Sequence, residues 1–396
     1  MPPPLTDLLV LDLSRVLAGP YGTMMLADLG AEVIKVEMPG RGDDTRQWGP
    51  PFAGGEAAYY LSVNRNKKSL TLNLKSERGR DIVRRLAYRA DVLVENFRVG
   101  TMDEWGLGYE ALRAINPKLI YCAITGYGQT GPYCHRPGYD FIIQAEGGIM
   151  SITGPEEGPP MKVGVAIVDI TAGLYANVAI LSALHERERS GQGQYIDIAL
   201  LDAQVAWLAN VGSNYLVSGR RPRRYGNAHS NIVPYEPFLT ADGWIAVGVG
   251  NDRQWQRLCA AAGWEDLAAD PRFATNPGRV EHRATLVPIL QERFRQCPVE
   301  EWRAMLLQVG IPCAPINTID QVFADPQVLA REMSVELPHP TAGAVKMAGS
   351  PLKLSRTPTR LDGPPPLLGQ HTDEILHTHL GCSDKEIARL RAEGVI

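Results

Sequence analysis

Short apolar runs alternate with segments of helical period along the first third of the chain. LLVLDL (8–13), EVIKVE (32–37), SLTLNL (69–74), DVLVEN (91–96) and LIYCAIT (119–125) have the length and apolar density of strands. Between them, residues 20–29 and 77–89 carry apolar positions at helical spacing. Strands apolar on both faces, alternating with helices, predict an α/β fold on a doubly wound parallel sheet. Gly-rich connections at 126–140 and 145–160 follow, then a long apolar helix over about 170–189, a strand QYIDIAL (194–200) and another apolar helix to about Val217.

The pattern changes at SGRRPRRYGNAHSN (218–231), a polar linker that marks a domain boundary. Beyond it, VPYEPFLTADGWIAVGV (233–249) predicts a hairpin turning at Asp242 and Gly243, and helical patterns follow at about 252–262, 279–296 and 299–309. Two strands and three helices make a smaller α+β domain. From Pro326 the chain reads as irregular and Pro-rich until a last helix at 384–392. The expected organisation is a large domain over 1–217, a small α+β domain with its linker over 218–325, and a C-terminal segment over 326–396.

Composition narrows the function classes. A chain of 396 residues holds about two to three domains at ~150 residues each, and 44% hydrophobic with 21% charged residues is globular composition. A net charge of −4 leaves no electrostatic footprint for nucleic acid. Cysteines at 122, 134, 259, 297, 313 and 382 have no paired spacing, which points to reduced thiols in a cytosol-like compartment. The N-terminus lacks a basic region before an apolar run, and no stretch approaches 18 uncharged apolar residues. The chain is therefore expected to be cytoplasmic, without signal peptide or membrane span. The eight histidines form no HExxH and no ligand-spaced pair, so no metal site is expected.

Two carboxylates stand where chemistry is possible. Asp169 in VGVAIVDITAGLY and Asp140 in PGYDFIIQ each precede a helix, where orphan N–H groups and the helix dipole favour an anion. Either is equally at home as an N-cap. Tyr139 beside Asp140 offers a hydroxyl, or simply packs. After the first strand, SRVLAGPYGT (14–23) turns into a helix whose amides suit a phosphate, and no GxGxxG supports a dinucleotide. Arg15, Arg41, Arg46, Arg65, Lys67, Lys68, Lys75 and Arg98 fall near strand ends, available to a phosphate, to a substrate carboxylate or to water. The cluster Arg220, Arg221, Arg223 and Arg224 reads as a solvated hinge, His229 as a pocket candidate and His371 as a helix-start residue.

Taken together, the segments DLSRVLAGPYGTMMLADLGAEVIKVE, GDDTR, YYLSVNRNKKSLTLNLK, DVLVENFRVG, ITGYG, VDITAGLYA, GQGQYIDIALLDA, GIPCAPI and LLGQHTDEIL resemble, nearly end to end, the class III CoA transferases. SVNRNKKS, GYGQTGP and YGNAHSNIVPYE make the chain most similar to the succinyl-CoA:dicarboxylate members, including succinyl-CoA:glutarate enzymes. The resemblance implies that Asp169 is the catalytic aspartate, with Tyr139 and Asp140 beside the reacting carbonyl. It places coenzyme A contacts on Arg15, Val16, Leu17 and Ala18, on Leu72, Asn73, Leu74 and Lys75, and on Asn96, Phe97 and Arg98. Met38 and Glu104 stand where the oxalate enzyme has arginines that touch CoA, and Asn227–Ala228–His229–Ser230–Asn231 replaces its glycine-run loop. The family fold further implies a ring-like interlocked homodimer whose large domain is completed by residues 326–396.

The implied reaction moves CoA from an acyl-CoA, with succinyl-CoA expected, to a carboxylic acid through an aspartyl intermediate, with CoA thioesters as substrates and no permanently bound cofactor. Gly147 and Gly148 amides and the Tyr139 hydroxyl are the candidate oxyanion donors, and Arg46, Arg65 and His229 the candidate partners of a distal carboxylate. An α-methylacyl-CoA racemase is the nearest rival. Such enzymes carry a histidine where this chain has Tyr139, whose ordinary pKa makes it a poor base near neutral pH. A non-catalytic CoA-binding subunit and a dinucleotide oxidoreductase are the other readings.

Overall fold

The computed structural model describes Met1–Ile396. The chain forms two compact units, one of Met1–Ile149, Val163–Ser213 and Pro326–Ile396, the other of Met150–Lys162 and Asn214–Asp325. Residues 150–162, expected with the large domain, pack in the smaller unit.

The larger unit is built on six parallel strands: β1 (Leu9–Asp12), β2 (Glu32–Glu37), β3 (Lys67–Thr71), β4 (Val92–Glu95), β5 (Ile120–Thr125) and β6 (Tyr195–Ala199). Their order across the sheet is β3-β2-β1-β4-β5-β6. The period of two explains both faces. On one face Leu9, Leu11, Ile34, Val36 and Leu93 pack against Ile82, Val83 and Leu86 of the helix at Glu77–Ala87 and against Ile375, Leu376, Ile387 and Leu390 near the C-terminus. Val10, Val33, Val92, Val94, Ile120 and Cys122 pack on α1 (Ala18–Asp28) and on a long helix at Ile167–Ser190. The sheet is thus covered on both faces, as the doubly wound expectation requires.

Local differences have local causes. The third strand, expected at 69–74, begins at Lys67 and ends at Thr71, because Asn73 starts a turn whose carbonyl accepts from Ser76. The C-terminal stretch expected to be irregular contains an antiparallel hairpin, Ser334–His339 with Gly343–Ala348, whose Leu337, Val345 and Met347 pack around Tyr60. The Ile167–Ser190 helix is long and apolar enough by length and composition to cross a membrane, although Asp169 and the polar Thr171, Asn177 and Ser182 interrupt its apolar run. Val168, Ala172, Ala176, Ile180 and Ala183 bury one of its faces against the sheet and α1.

The smaller unit holds a three-stranded antiparallel sheet of Tyr235–Leu239, Trp244–Gly248 and Cys313–Pro315. Phe238, Ile245, Trp255, Phe294 and Trp302 form its core. The helix expected over 279–296 is divided at His282 into Asn276–Glu281 and Arg283–Phe294.

Candidate active site

The strand order reverses between β1 and β4, and in open α/β sheets the crevice at that point, outside the carboxyl ends of the strands, receives the ligand. Here the turns after β1, β2, β3, β4 and β5 line two adjoining cavities of about 430 and 300 Å³ that share Arg15, Asp44, Phe97 and Arg98. The first also takes Met38, Arg41, Leu72, Leu74, Lys75 and Trp105, and the second Val16, Leu17, Ala18, Asn96, Tyr139 and Asp169. Residues expected to contact CoA from three separate motifs therefore meet along one groove. Asn73 does not line it: its N–H bonds the Val395 carbonyl and its side-chain oxygen accepts from the Lys75 amide. Met38 lines the groove, whereas Glu104 does not.

The turn after β1 is held from both sides. The Asn96 side chain accepts from the Arg15 amide at 2.8 Å and donates to the Arg15 carbonyl at 2.7 Å, so its amide serves the backbone rather than a ligand. The Asp43 carboxylate accepts from the Val16 amide at 3.2 Å and from Lys35 at 2.9 Å. Val16 needs this restraint because its φ is 70°, a region strained for a β-branched side chain. Below the turn, Asp12 binds Thr23, Ser14 and, at 2.9 Å, Lys67, all out of water.

Asp169 is the third residue of the long helix at Ile167–Ser190, hereafter α2, rather than its cap. The cap role belongs to Asp140, whose Oδ1 accepts from the Val168 amide at 2.8 Å and the Asp169 amide at 3.4 Å, while Oδ2 accepts from Gln144. Asp140 thus positions the start of α2 from another helix. Burial, and secondly the nearby Asp140 carboxylate, push Asp169 up to about 7. No cation pairs with it. Tyr59 sits in the same small apolar cluster as Val16, Ala166 and Ile170. Burial and then the charge of Asp169 push its hydroxyl up to about 12.

Two helix starts reach the groove because α1 and α2 cross at glycines. A Cβ on Gly173 would lie 2.5 Å from the Ala18 carbonyl oxygen, and one on Gly22 3.1 Å from that of Gly173. The Asn177 amide donates to the Gly22 carbonyl at the same crossing. Gly173 lies one turn beyond Asp169, and Ala18 one turn before Gly22. The α1 start has no side-chain cap, and its Leu17 and Ala18 line the second cavity.

Five expected site residues do not fit the roles given to them. The Gly147 amide donates to the Ile143 carbonyl and closes a helix end, so it is not an oxyanion donor. Gly148 does not line the groove and lies against Leu208, with a φ of 90°. Arg46 is buried and saturated by Glu37, Glu56, the Tyr60 hydroxyl and the Pro366 carbonyl. Arg65 is spent on Asp28, at 2.9 and 2.6 Å, and on the Ala348 carbonyl. Both arginines tie the C-terminal segment to the sheet edge. His229 belongs to the smaller unit, where its Nδ1 accepts from the Asn231 amide and its carbonyl from Arg283. Tyr59, Asp43 and the Gly22–Gly173 crossing escape sequence reasoning. Glycines inside two helical patterns are the one signal that pointed to the crossing.

The two cavities thus set Arg15, Arg41, Arg98 and Lys75, which can hold an anionic ligand, beside the Asp169 carboxylate, which has no cationic partner. Residues 5–372 match the model of CoA-transferase family III. The chain belongs to this family, and is a transferase. It is 47% identical over 393 residues to the human succinyl-CoA:glutarate CoA-transferase, covering 99% of this chain and 90% of the human protein. It is 49% identical over 380 residues to the succinate–glutarate CoA-transferase of Agrobacterium fabrum, covering 94% and 95% of the two chains. A crystal structure of a CAIB/BAIF family protein from Brucella suis has the same fold, with a TM-score of 0.86 at 48% identity over 96% of this chain and 100% of that one.

Proposed function

We propose that this transferase moves CoA from succinyl-CoA to a second C4 to C6 dicarboxylate, such as glutarate, malate, itaconate or citramalate, with Asp169 as the covalent carrier. One observation carries the reading: Asp169 is a carboxylate without a cationic partner, raised to about 7 by its surroundings, in the cavity that also holds Arg15, Tyr139 and Arg98. The glutarate-specific names of two relatives at 47% and 49% identity favour a dicarboxylate acceptor.

In the proposed cycle the Asp169 carboxylate attacks the thioester carbonyl, and the C–S bond breaks to give a mixed anhydride and a CoA thiolate. The thiolate attacks the aspartyl carbonyl, forming an aspartyl-CoA thioester and releasing succinate. The acceptor carboxylate then attacks that thioester, and the freed thiolate attacks the acceptor acyl carbonyl, which regenerates Asp169. A carboxylate is a weak nucleophile, so holding it against the thioester supplies much of the rate. Each tetrahedral oxyanion takes donors from the exposed Tyr139 hydroxyl and the uncapped start of α1 at Ala18. With Arg46 and Arg65 spent internally, Arg136, which lines the same cavity, would exchange its 4.0 Å pair with Glu146 for the distal carboxylate, and the neighbouring His135 ring can donate a hydrogen bond to it. The interlocked homodimer implied by the family resemblance is part of the proposal, supported by the row Leu174, Tyr175, Val178 and Leu181 exposed on α2.

The test is the intact mass of wild type and Asp169→Ala after mixing with succinyl-CoA, each with and without hydroxylamine. A CoA or acyl adduct on wild type, cleaved by hydroxylamine and absent from the variant, is the expected result. No adduct from any of several acyl-CoAs, with exchange of the substrate α-proton instead, sinks the transferase mechanism in favour of the racemase.

A further inference from the structure

We propose that Asp44 is an internal counter-anion of the groove: it holds Arg15 and Arg41 until a phosphate of CoA displaces it, and so lowers the affinity for CoA and speeds its release. This rests on the reading that the groove takes CoA.

Asp44 lines both cavities. Its Oδ1 lies 2.8 Å from Arg41 Nη2 and its Oδ2 3.5 Å from Arg15 Nη1, and these are its carboxylate's only ion pairs. The two arginines come from different turns and are 48% and 63% exposed, against 28% for Asp44. Its neighbour Asp43 makes the contrast plain, being fully buried and used by Lys35, Val16 and Thr45. Asp44 has no such structural task.

Exposed pairs of this kind contribute little, so a ligand exchanges them readily. The 3′-phosphate of CoA carries more charge than a carboxylate, its pyrophosphate presents two charges side by side, and either matches the guanidinium fork, so it competes for both arginines. Asp44 cannot leave when it loses them. It opens a short 3-10 turn, Asp44–Gln47, whose preceding residue Asp43 is tied to the buried Lys35. Its charge therefore stays on the groove wall beside the bound phosphates and opposes them. Binding lost in this way is uniform along the reaction, which raises turnover wherever release of the CoA product is slow.

Calorimetric titration of CoA and dephospho-CoA into wild type, Asp44→Asn and Arg41→Gln, at low salt and at about 0.5 M salt, tests the assignment. Asp44→Asn is expected to tighten CoA about threefold to tenfold at low salt, with the gain fading at high salt, and Arg41→Gln to weaken it. A gain that vanishes with dephospho-CoA assigns the 3′-phosphate as the displacing group, and a gain that persists assigns the pyrophosphate. Unchanged or weaker CoA binding by a folded Asp44→Asn, while wild type binds, overturns the role of Asp44 alone. No binding of CoA by wild type overturns the reading of the groove together with it.

Discussion

Asp12 and Asp169 are the same residue type in the same unit, and their surroundings drive them in opposite directions. Asp12 lies under the turn before α1 with no exposure; burial, its largest influence, raises it, but Lys67 and Lys35 with the hydrogen bonds from Ser14 and Thr23 together outweigh burial and leave it at about 2. Lys67 in turn is brought down by burial to about 8, against the pull of Asp12. Asp169, half-buried at the cavity wall, is also raised first by burial, with another carboxylate for company and no cation, and stands at about 7. A paired buried carboxylate is inert and supports the fold. An unpaired one is available for chemistry and weakens the fold.

The comparison breaks most sharply at Asp12. Asp12→Asn leaves Lys67 buried without its counter-ion and is expected to cost about 3–5 kcal/mol, read as a loss of denaturant midpoint. Asp169→Asn has the opposite sign. The folded pKa of Asp169 lies above its ordinary 3.8, so wild type loses stability as pH rises from about 4 to about 7. The Asn variant should therefore unfold at a higher temperature than wild type at pH 8, with the gain gone near pH 4. A destabilised Asp169→Asn at pH 8 refutes the contrast.

A smaller effect is expected at the crossing that carries Asp169 to the groove. Gly173→Ala sets a methyl 2.5 Å from the Ala18 carbonyl oxygen, so the helices must part. The overpacking should cost about 1–3 kcal/mol in urea unfolding, with a fall in kcat larger than the change in KM. Equal stability and activity would show that the helix starts are placed by other contacts.

The smallest expected effect is a shift in the pH profile. In the proposed cycle the nucleophile is the ionised form of Asp169, so the acid limb of kcat/KM should fall as pH drops through about 7. Asp140→Asn keeps an acceptor for the Val168 and Asp169 amides but removes a negative charge. The limb should move to lower pH by less than about one unit, because burial rather than Asp140 is the larger cause. A limb that moves upward or not at all contradicts the coupling.

Much of the frame was legible along the chain. Alternation of period two and period 3.6 is a property of neighbouring residues, so LLVLDL, EVIKVE and DVLVEN read as strands and formed them. Asp169 was conspicuous as an acid entering a long apolar helix. Arg46 and Arg65 were misread because a cation next to a strand end looks the same whether it meets solvent or a carboxylate from another segment. Their partners Glu37, Asp28, Ala348 and Pro366 are up to 320 positions away. The hairpin at 334–348 was hidden by its prolines and by having Tyr60, far upstream, as its packing partner.

The sequence by itself determined the kinds of elements, their order and the family, because these depend on local periodicity and on motifs read in place. Only the tertiary structure decided which charges are spent and which remain. It set Lys35, Lys67, Arg46 and Arg65 against buried carboxylates, left Arg15, Arg41 and Arg98 along the groove, and brought Asp169 to its wall without a cation. The physical reason is that a charge's worth depends on the distance to its partner and on the water excluded around it, and both are properties of folded space rather than of chain position.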